Sequence, residues 1–186
     1  WPFCKSPDQL MVVVAGGDSG TGRLAEPADI VAVAHEVLGA IAGPDGGDLA
    51  GTRVVVTAGG TREPICPVRF LGNRSSGRQG HALAAEAASR GAVVDCVTTQ
   101  PGTAPVGPGI RVTAVETAAE MAEAVVGLSA DAEMVFMAAA VADFRPVEVA
   151  DRKIKKEGGV PEIWLEPTVD ILAMLGRNRR PGQVLV

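Results

Sequence analysis

Three groups of residues in this chain have the types and spacing that phosphate chemistry needs. The first is "NRSSG", Asn73 to Gly77, set directly before an alanine-rich run with helical spacing. Ser75 or Ser76 can cap that helix, while backbone N–H groups, Gly77 included, face whatever anion lies in front. The second is "AAAVADFRP". Ala138 to Ala140 remove side chains at a strand end and let a ligand approach the backbone, and Asp143 can accept from ribose hydroxyls or face a magnesium ion. The third is "KIKK", where Lys153, Lys155 and Lys156 can neutralise phosphate charge. Taken singly, these segments also suit plain helix capping, close packing and a solvated basic surface. Their order along one chain points to a nucleoside triphosphate.

The elements that must position these residues follow from hydrophobic patterning. Strands are expected at Arg53–Thr57, Ala92–Thr98 and Met134–Ala138, and helices at Gly77–Arg90 and Thr117–Leu128. The early strands are continuous Val-rich runs, as expected where helices cover both faces of a parallel sheet. The fold class is therefore α/β: a Rossmann-like, doubly wound, mostly parallel sheet with helices on both faces. Such sheets bind ligands beyond the carboxyl ends of their strands, which is where Asp143 falls. Between the first strand and its helix runs the long excursion Thr61–Ser76, with two prolines and with Arg62, Arg69 and Arg74, in place of the short GxGxxG turn of a dinucleotide site.

Upstream, Met11–Val14 is a short strand candidate, and Pro27 opens a helical pattern that Gly39 ends. "GPDGGDLAG", residues 43–51, reads as a flexible linker and domain boundary. The chain has 186 residues, 47% hydrophobic and only 3% aromatic, which favours helices packed closely on a sheet over an aromatic-rich barrel. A formal net charge of -5 supplies no general field for nucleic acid or an anionic membrane, so neither partner is expected. Cys4, Cys66 and Cys96 form neither a disulfide framework nor a zinc pattern, and a cytoplasmic location is the expectation. Both ends read as cuts, the second inside the strand-like "QVLV".

"TREPICPVRFLGNRSSG", "AAAVADFRP" and "KIKK" together resemble the signature segments of the phosphopantothenate cysteine ligase family, over about Gly51 to Val186. "GGDSGTGRLAEPADIV" resembles the end of the phosphopantothenoylcysteine decarboxylase that precedes this ligase in fused bacterial enzymes. The resemblance implies a decarboxylase remnant over residues 1–42, the linker over 43–51 and a ligase domain over 52–186 whose C-terminal part is missing. Decarboxylase activity is not expected: Gly16 stands where many of those enzymes have a catalytic cysteine, and FMN belongs to the absent decarboxylase domain.

By the same resemblance the activity is ligation of 4'-phosphopantothenate to L-cysteine, driven by CTP with Mg2+ through an acyl cytidylate. Asn73 and Lys153 take catalytic roles. The nucleotide is expected at Ser75, Ser76, Gly77, Met137, Ala138, Ala139, Ala140, Asp143, Lys153, Lys156, Val169, Asp170, Ile171 and Leu172. Arg69 and Asn73 are the expected substrate contacts, Asp143 the candidate metal contact, and a homodimer the expected assembly. Cys66 occupies a position where relatives often have aspartate, and His81 is expected to ride the helix. Two other functions stay open at this point: a nicotinamide-dependent reductase of short-chain type, and a truncated dimerisation domain without activity.

Overall fold

The computed structural model describes residues 11–13, 19–21 and 47–186. Met11–Val13 (β1) pairs antiparallel with Ser19–Thr21 (β2), so part of the expected strand is present. The helix expected after Pro27, and residues 43–46 of the expected linker, lie outside the described residues. Residues 47–51 do not behave as a linker. They turn back on the sheet domain, Leu49 is buried in its core, and Asp48 forms an ion pair with Arg90. One leucine among glycines and aspartates is enough to anchor the turn.

The main sheet has five parallel strands in the order β11-β8-β3-β6-β7: Arg53–Ala58 (β3), Val93–Thr98 (β6), Ile110–Ala114 (β7), Met134–Met137 (β8) and Val184–Leu185 (β11). Side chains alternate across it, so each valine run feeds two cores. Val54, Val56, Val94 and Phe136 pack with Leu83 and Ala87 of helix α1, Arg78–Ser89, on one face. Val55, Val97 and Val135 pack on the other face with Met121 and Val125 of α2, Ala118–Ser129, and with Ile171 and Leu175 of α3, Ile171–Arg177. The expected doubly wound α/β architecture, with helices on both faces, is what the chain adopts.

Chain order makes the switch point. From β3 the chain passes through α1 to β6 and then β7, and returns through α2 to β8 on the opposite flank of β3. The carboxyl ends of β3 and β8 therefore flank the crevice where open sheets of this kind take ligands.

Several of the shorter pairings were not legible in the sequence. The Thr61–Ser76 excursion is an antiparallel hairpin, Arg62–Cys66 (β4) with Arg69–Gly72 (β5), and Phe144–Pro146 (β9) pairs with Leu165–Pro167 (β10). Helix α1 also begins differently from expectation. Its N-cap is Gly77, at φ 75°, and neither Ser75 nor Ser76 caps it. A serine cap needs extended backbone, whereas this corner turns through the left-handed region that glycine alone adopts freely.

Candidate nucleotide site at the switch point

The end of β3 and the segment after β8 are stitched together residue by residue. The Ala140 N–H donates to the Gly59 carbonyl at 2.8 Å, and the Thr61 N–H donates to the Ala140 carbonyl at 3.2 Å. Two buried threonine hydroxyls accept backbone N–H groups from the alanine segment: Thr57 from Ala139 at 3.1 Å, and Thr61 from Ala142 at 2.9 Å. On the far side, the Thr168 N–H donates to the Asp143 carbonyl at 2.9 Å, and the Thr168 hydroxyl donates to the Ala142 carbonyl. The backbone of this short-side-chain loop is thus pinned from both sides and forms a fixed wall.

That wall lines a cleft of about 440 Å³. Met137, Ala139, Ala140 and Asp143 form one side, and Val169, Asp170, Ile171 and Leu172 the other. Eight of the expected nucleotide contacts are therefore brought together. Ala138 is not among them; it turns to the opposite face and packs against the α1 core. Ile171 contributes at the cleft floor while being 2% exposed, and the Asp170 carboxylate is engaged in accepting the Ala173 N–H at 2.8 Å as the cap of α3.

Asn73 and the serines arrive from the other motif. The Asn73 Nδ2 donates to the Val141 carbonyl at 3.3 Å, so the expected catalytic amide stands at the cleft. Residues 73–75 fold over Gly60: a Cβ there would lie 2.6 Å from the Asn73 carbonyl oxygen. Gly77 abuts Gly59 closely: a Cβ on Gly77 would meet the Gly59 nitrogen at 3.1 Å, tighter than ordinary contact.

The electrostatics at the α1 entrance differ from those of the other helices. Helix α2 has a Thr117–Glu120 capping box, and Glu63 Oε1 accepts the Ala118 N–H at 2.8 Å. Helix α3 has Asp170. Of the three α-helices among the described residues, α1 is the one with no side-chain cap, and no acidic residue lies in its first turn. Its own first turn thus brings no carboxylate to the positive helix end, a condition that favours an anion there.

The lysines lie elsewhere. Lys153, Lys155 and Lys156 are exposed on a loop fastened to the hairpin tip, where Arg69 Nη1 donates to the Ile154 carbonyl at 3.1 Å and the Ala150 N–H donates to the Ile65 carbonyl at 3.0 Å. Four strand residues separate that tip from the hairpin base, roughly 13 Å at ~3.3 Å per residue. None of the three lysines lines the cleft. Arg69 is used in holding that loop, and Arg62 stacks 5.3 Å from the Phe70 ring centroid.

His81 does ride α1, as expected, but it also has a partner: Nε2 lies 2.9 Å from the Thr98 hydroxyl, which accepts the Gln100 N–H at 3.0 Å. Burial pushes its pKa below the usual histidine value. Cys66 is a free, buried thiol whose pKa is lowered chiefly by the Val68 backbone N–H, with burial opposing; burial pushes Cys96 up to about 11. Sequence reading missed Thr57, Thr61, Thr168 and Glu63, whose partners are 26 to 82 positions away. The one local signal was position: Thr61 directly follows Gly59-Gly60 at the end of β3. No group of three His, Cys, Asp or Glu side chains among the described residues is arranged to hold a metal, and no described helix is long and apolar enough to cross a membrane.

A five-stranded Rossmann-like sheet with a stitched alanine wall and an uncapped helix at its switch point defines the class: a Rossmann-like α/β domain with a cleft at its switch point. The chain belongs to the DNA/pantothenate metabolism flavoprotein C-terminal domain family, which matches residues 49–186. The coenzyme A biosynthesis bifunctional protein CoaBC of Mycobacterium tuberculosis (strain ATCC 25618 / H37Rv) is 46% identical over 178 residues, 92% of this chain and 41% of that protein. A protein called cysteine/cysteine sulfinic acid decarboxylase, from an unknown prokaryotic organism, is 44% identical over 175 residues, 93% of this chain and 48% of that one. The crystal structure of the C-terminal domain of a CoaBC protein aligns with a TM-score of 0.61 and 39% identity, covering 74% of this chain and 63% of that chain. The chain spans less than half the length of these two curated relatives. The resemblance carried by the three segments is borne out at the level of family.

Proposed function

We propose that this chain carries the ligase part of a coenzyme A biosynthesis enzyme, joining 4'-phosphopantothenate to L-cysteine at the expense of CTP. The observation that carries this reading is the α1 entrance: an uncapped helix end that abuts, through Gly59 and Asn73, the pinned alanine wall of a nucleotide-sized cleft. Helix end and wall match the two halves of a nucleotide, phosphate and nucleoside. The name of the 46% identical relative supports the pathway. More than half of the relative called a decarboxylase lies outside the aligned region, so that name favours no second reading for this chain.

The chemistry balances in two steps. A carboxylate oxygen of phosphopantothenate attacks the α-phosphorus of CTP, the bond to the bridging oxygen breaks, and pyrophosphate leaves. The cysteine amine then attacks the acyl carbon, loses a proton, and CMP departs with the bond electrons. Met137, Ala139 and Ala140 offer backbone to the base, Asp143 meets the ribose, and Ser75, Ser76 and the α1 amides take phosphate oxygens. The Asn73 amide, already aimed along the cleft wall, holds the acyl phosphate oxygen in the second step. Mg2+ would neutralise the triphosphate; it typically uses one or two carboxylates plus phosphate oxygens, and Asp143 is the residue placed to supply one. Lys153 joins only with its loop folded from the hairpin tip towards the cleft, and Arg69, which holds that loop, couples the two. Assembly as a homodimer belongs to the same proposal.

The test is mass-spectrometric detection of CMP from the full-length parent protein given CTP, phosphopantothenate and cysteine. CMP formation that requires both acid and nucleotide supports the reading. NADP binding with no CTP turnover refutes it. Asn73→Asp should form the cytidylate and stall before the amide; normal cysteine turnover in that variant would remove Asn73 from the second step.

A further inference from the structure

Residues 61–63 make three consecutive attachments, the first to the cleft wall and the next two to the start of α2. Thr61 holds the cleft wall at Ala140 and Ala142, the Arg62 N–H donates to the Glu116 carbonyl at 2.8 Å, and Glu63 Oε1 accepts the Ala118 N–H at 2.8 Å. Glu63 is 2% exposed. A carboxylate so buried is costly unless it is satisfied, and the first N–H of α2 with the positive helix end satisfies it. Helix α2 already has its own Thr117–Glu120 box, so the helix does not need Glu63 for capping alone.

We infer that Glu63 is a positioning residue for the proposed ligation: it seats hairpin β4–β5 on the start of α2 and thereby sets where Asn73 stands. The transmission is short. Arg62, next to Glu63, pairs with Gly72, next to Asn73, and Gly72 fits so closely that a Cβ would lie 2.4 Å from the Thr61 carbonyl oxygen. Displacing β4 at Glu63 therefore displaces the strand that delivers the Asn73 amide to Val141. The nucleotide wall is less exposed to this displacement, because Thr57 and Thr168 also hold it, from elements outside the hairpin.

The role depends on reach and on an acceptor oxygen, and charge is secondary. Glu63→Gln keeps both reach and acceptor, Glu63→Asp keeps charge but falls short by one methylene, and Glu63→Ala loses everything. The inference rests on the ligase reading, so two readouts are taken on the full-length parent protein. Hydrogen exchange of the β4 and β5 amides, which involves no nucleotide, should quicken at least tenfold in the Asp and Ala variants and stay within twofold in Gln. In steady-state CMP release, Asp and Ala should lose at least tenfold in kcat, while the KM for CTP changes less than twofold and Gln retains activity within threefold. Should Ala fail to fold, the Asp and Gln pair decides the matter. Unaltered hairpin exchange in both Asp and Ala, or an active Asp variant beside an inactive Gln variant, overturns the positioning role. Absence of CMP from the unaltered protein overturns the ligase reading alone, and the exchange pattern still decides whether Glu63 seats the hairpin.

Discussion

Replacing Gly80 by alanine sets two effects of opposite sign against each other. Gly80 sits inside α1, where alanine is favoured over glycine by about 1 kcal/mol. A Cβ at Gly80, however, would lie 2.4 Å from the Thr57 carbonyl oxygen and 2.7 Å from the Ala58 Cβ, while ordinary contact begins at 3.4 Å. Both neighbours belong to β3, the middle strand of the sheet, so α1 must lift by about 1 Å; overpacking of this kind costs roughly 1–3 kcal/mol, and rigid backbone on one side puts it at the upper end. The expected net loss is about 2 kcal/mol, equivalent to about 30-fold faster exchange of the Val54–Val56 amides by native-state hydrogen exchange. Gly127 is the control: it lies in α2, exposed, with nothing within 4 Å of its Cβ position. Gly127→Ala should slow the same amides about fivefold, the helix preference acting alone. If Gly80→Ala proves as stabilising as Gly127→Ala, then α1 is not seated on β3 in this way, and the proposed phosphate entrance built on that contact fails with it.

Two threonines should respond to valine in opposite directions. Thr61→Val strands the Ala142 N–H and should cost ~1–3 kcal/mol by urea unfolding, with weaker CTP binding, whereas the Thr99 hydroxyl is buried without a partner, so Thr99→Val should be neutral or stabilising. Equal losses in both would contradict the hydrogen-bond assignments. His81 is buried and holds its proton less tightly than in the unfolded chain, so the unfolded state binds more protons as pH falls below about 6.5, and stability should decline from there until the lowered native pKa is passed. Measured against pH, the unfolding free energy of His81→Gln should lack that decline; an unchanged profile would assign it to another group.

The parallel strands were legible because a buried strand must be apolar on both faces, and the runs at Arg53–Ala58 and Val93–Thr98 say so directly. Strand β7 was not, because "IRVTA" forms a sheet edge with its residues half-buried or exposed, and its Arg111 pairs across the edge with Asp95. The β4–β5 hairpin hid behind Pro64 and Pro67, which read as turn residues, and α3 is too short for a periodic signal. The cleft was legible in its backbone, since alanines at a strand end leave the main chain bare and the aspartate beyond them adds an acceptor at the same rim. Its stitching was not, because a threonine hydroxyl looks the same in sequence whether it faces solvent or holds an amide 82 positions away. The serines do not cap α1 for a local reason: the left-handed turn at Gly77 took the cap position from them. The lysine loop was placed by motif alone, and the fold fastened it to the hairpin tip through Arg69 instead.

The most direct measurement is a crystal structure of the full-length parent protein soaked with CTP. Cytosine is expected against Met137, Ala139 and Ala140, ribose at Asp143, and phosphates before the α1 entrance at Gly77. Nucleotide density in any other crevice, or a triphosphate pointing away from α1, would contradict the proposed nucleotide site.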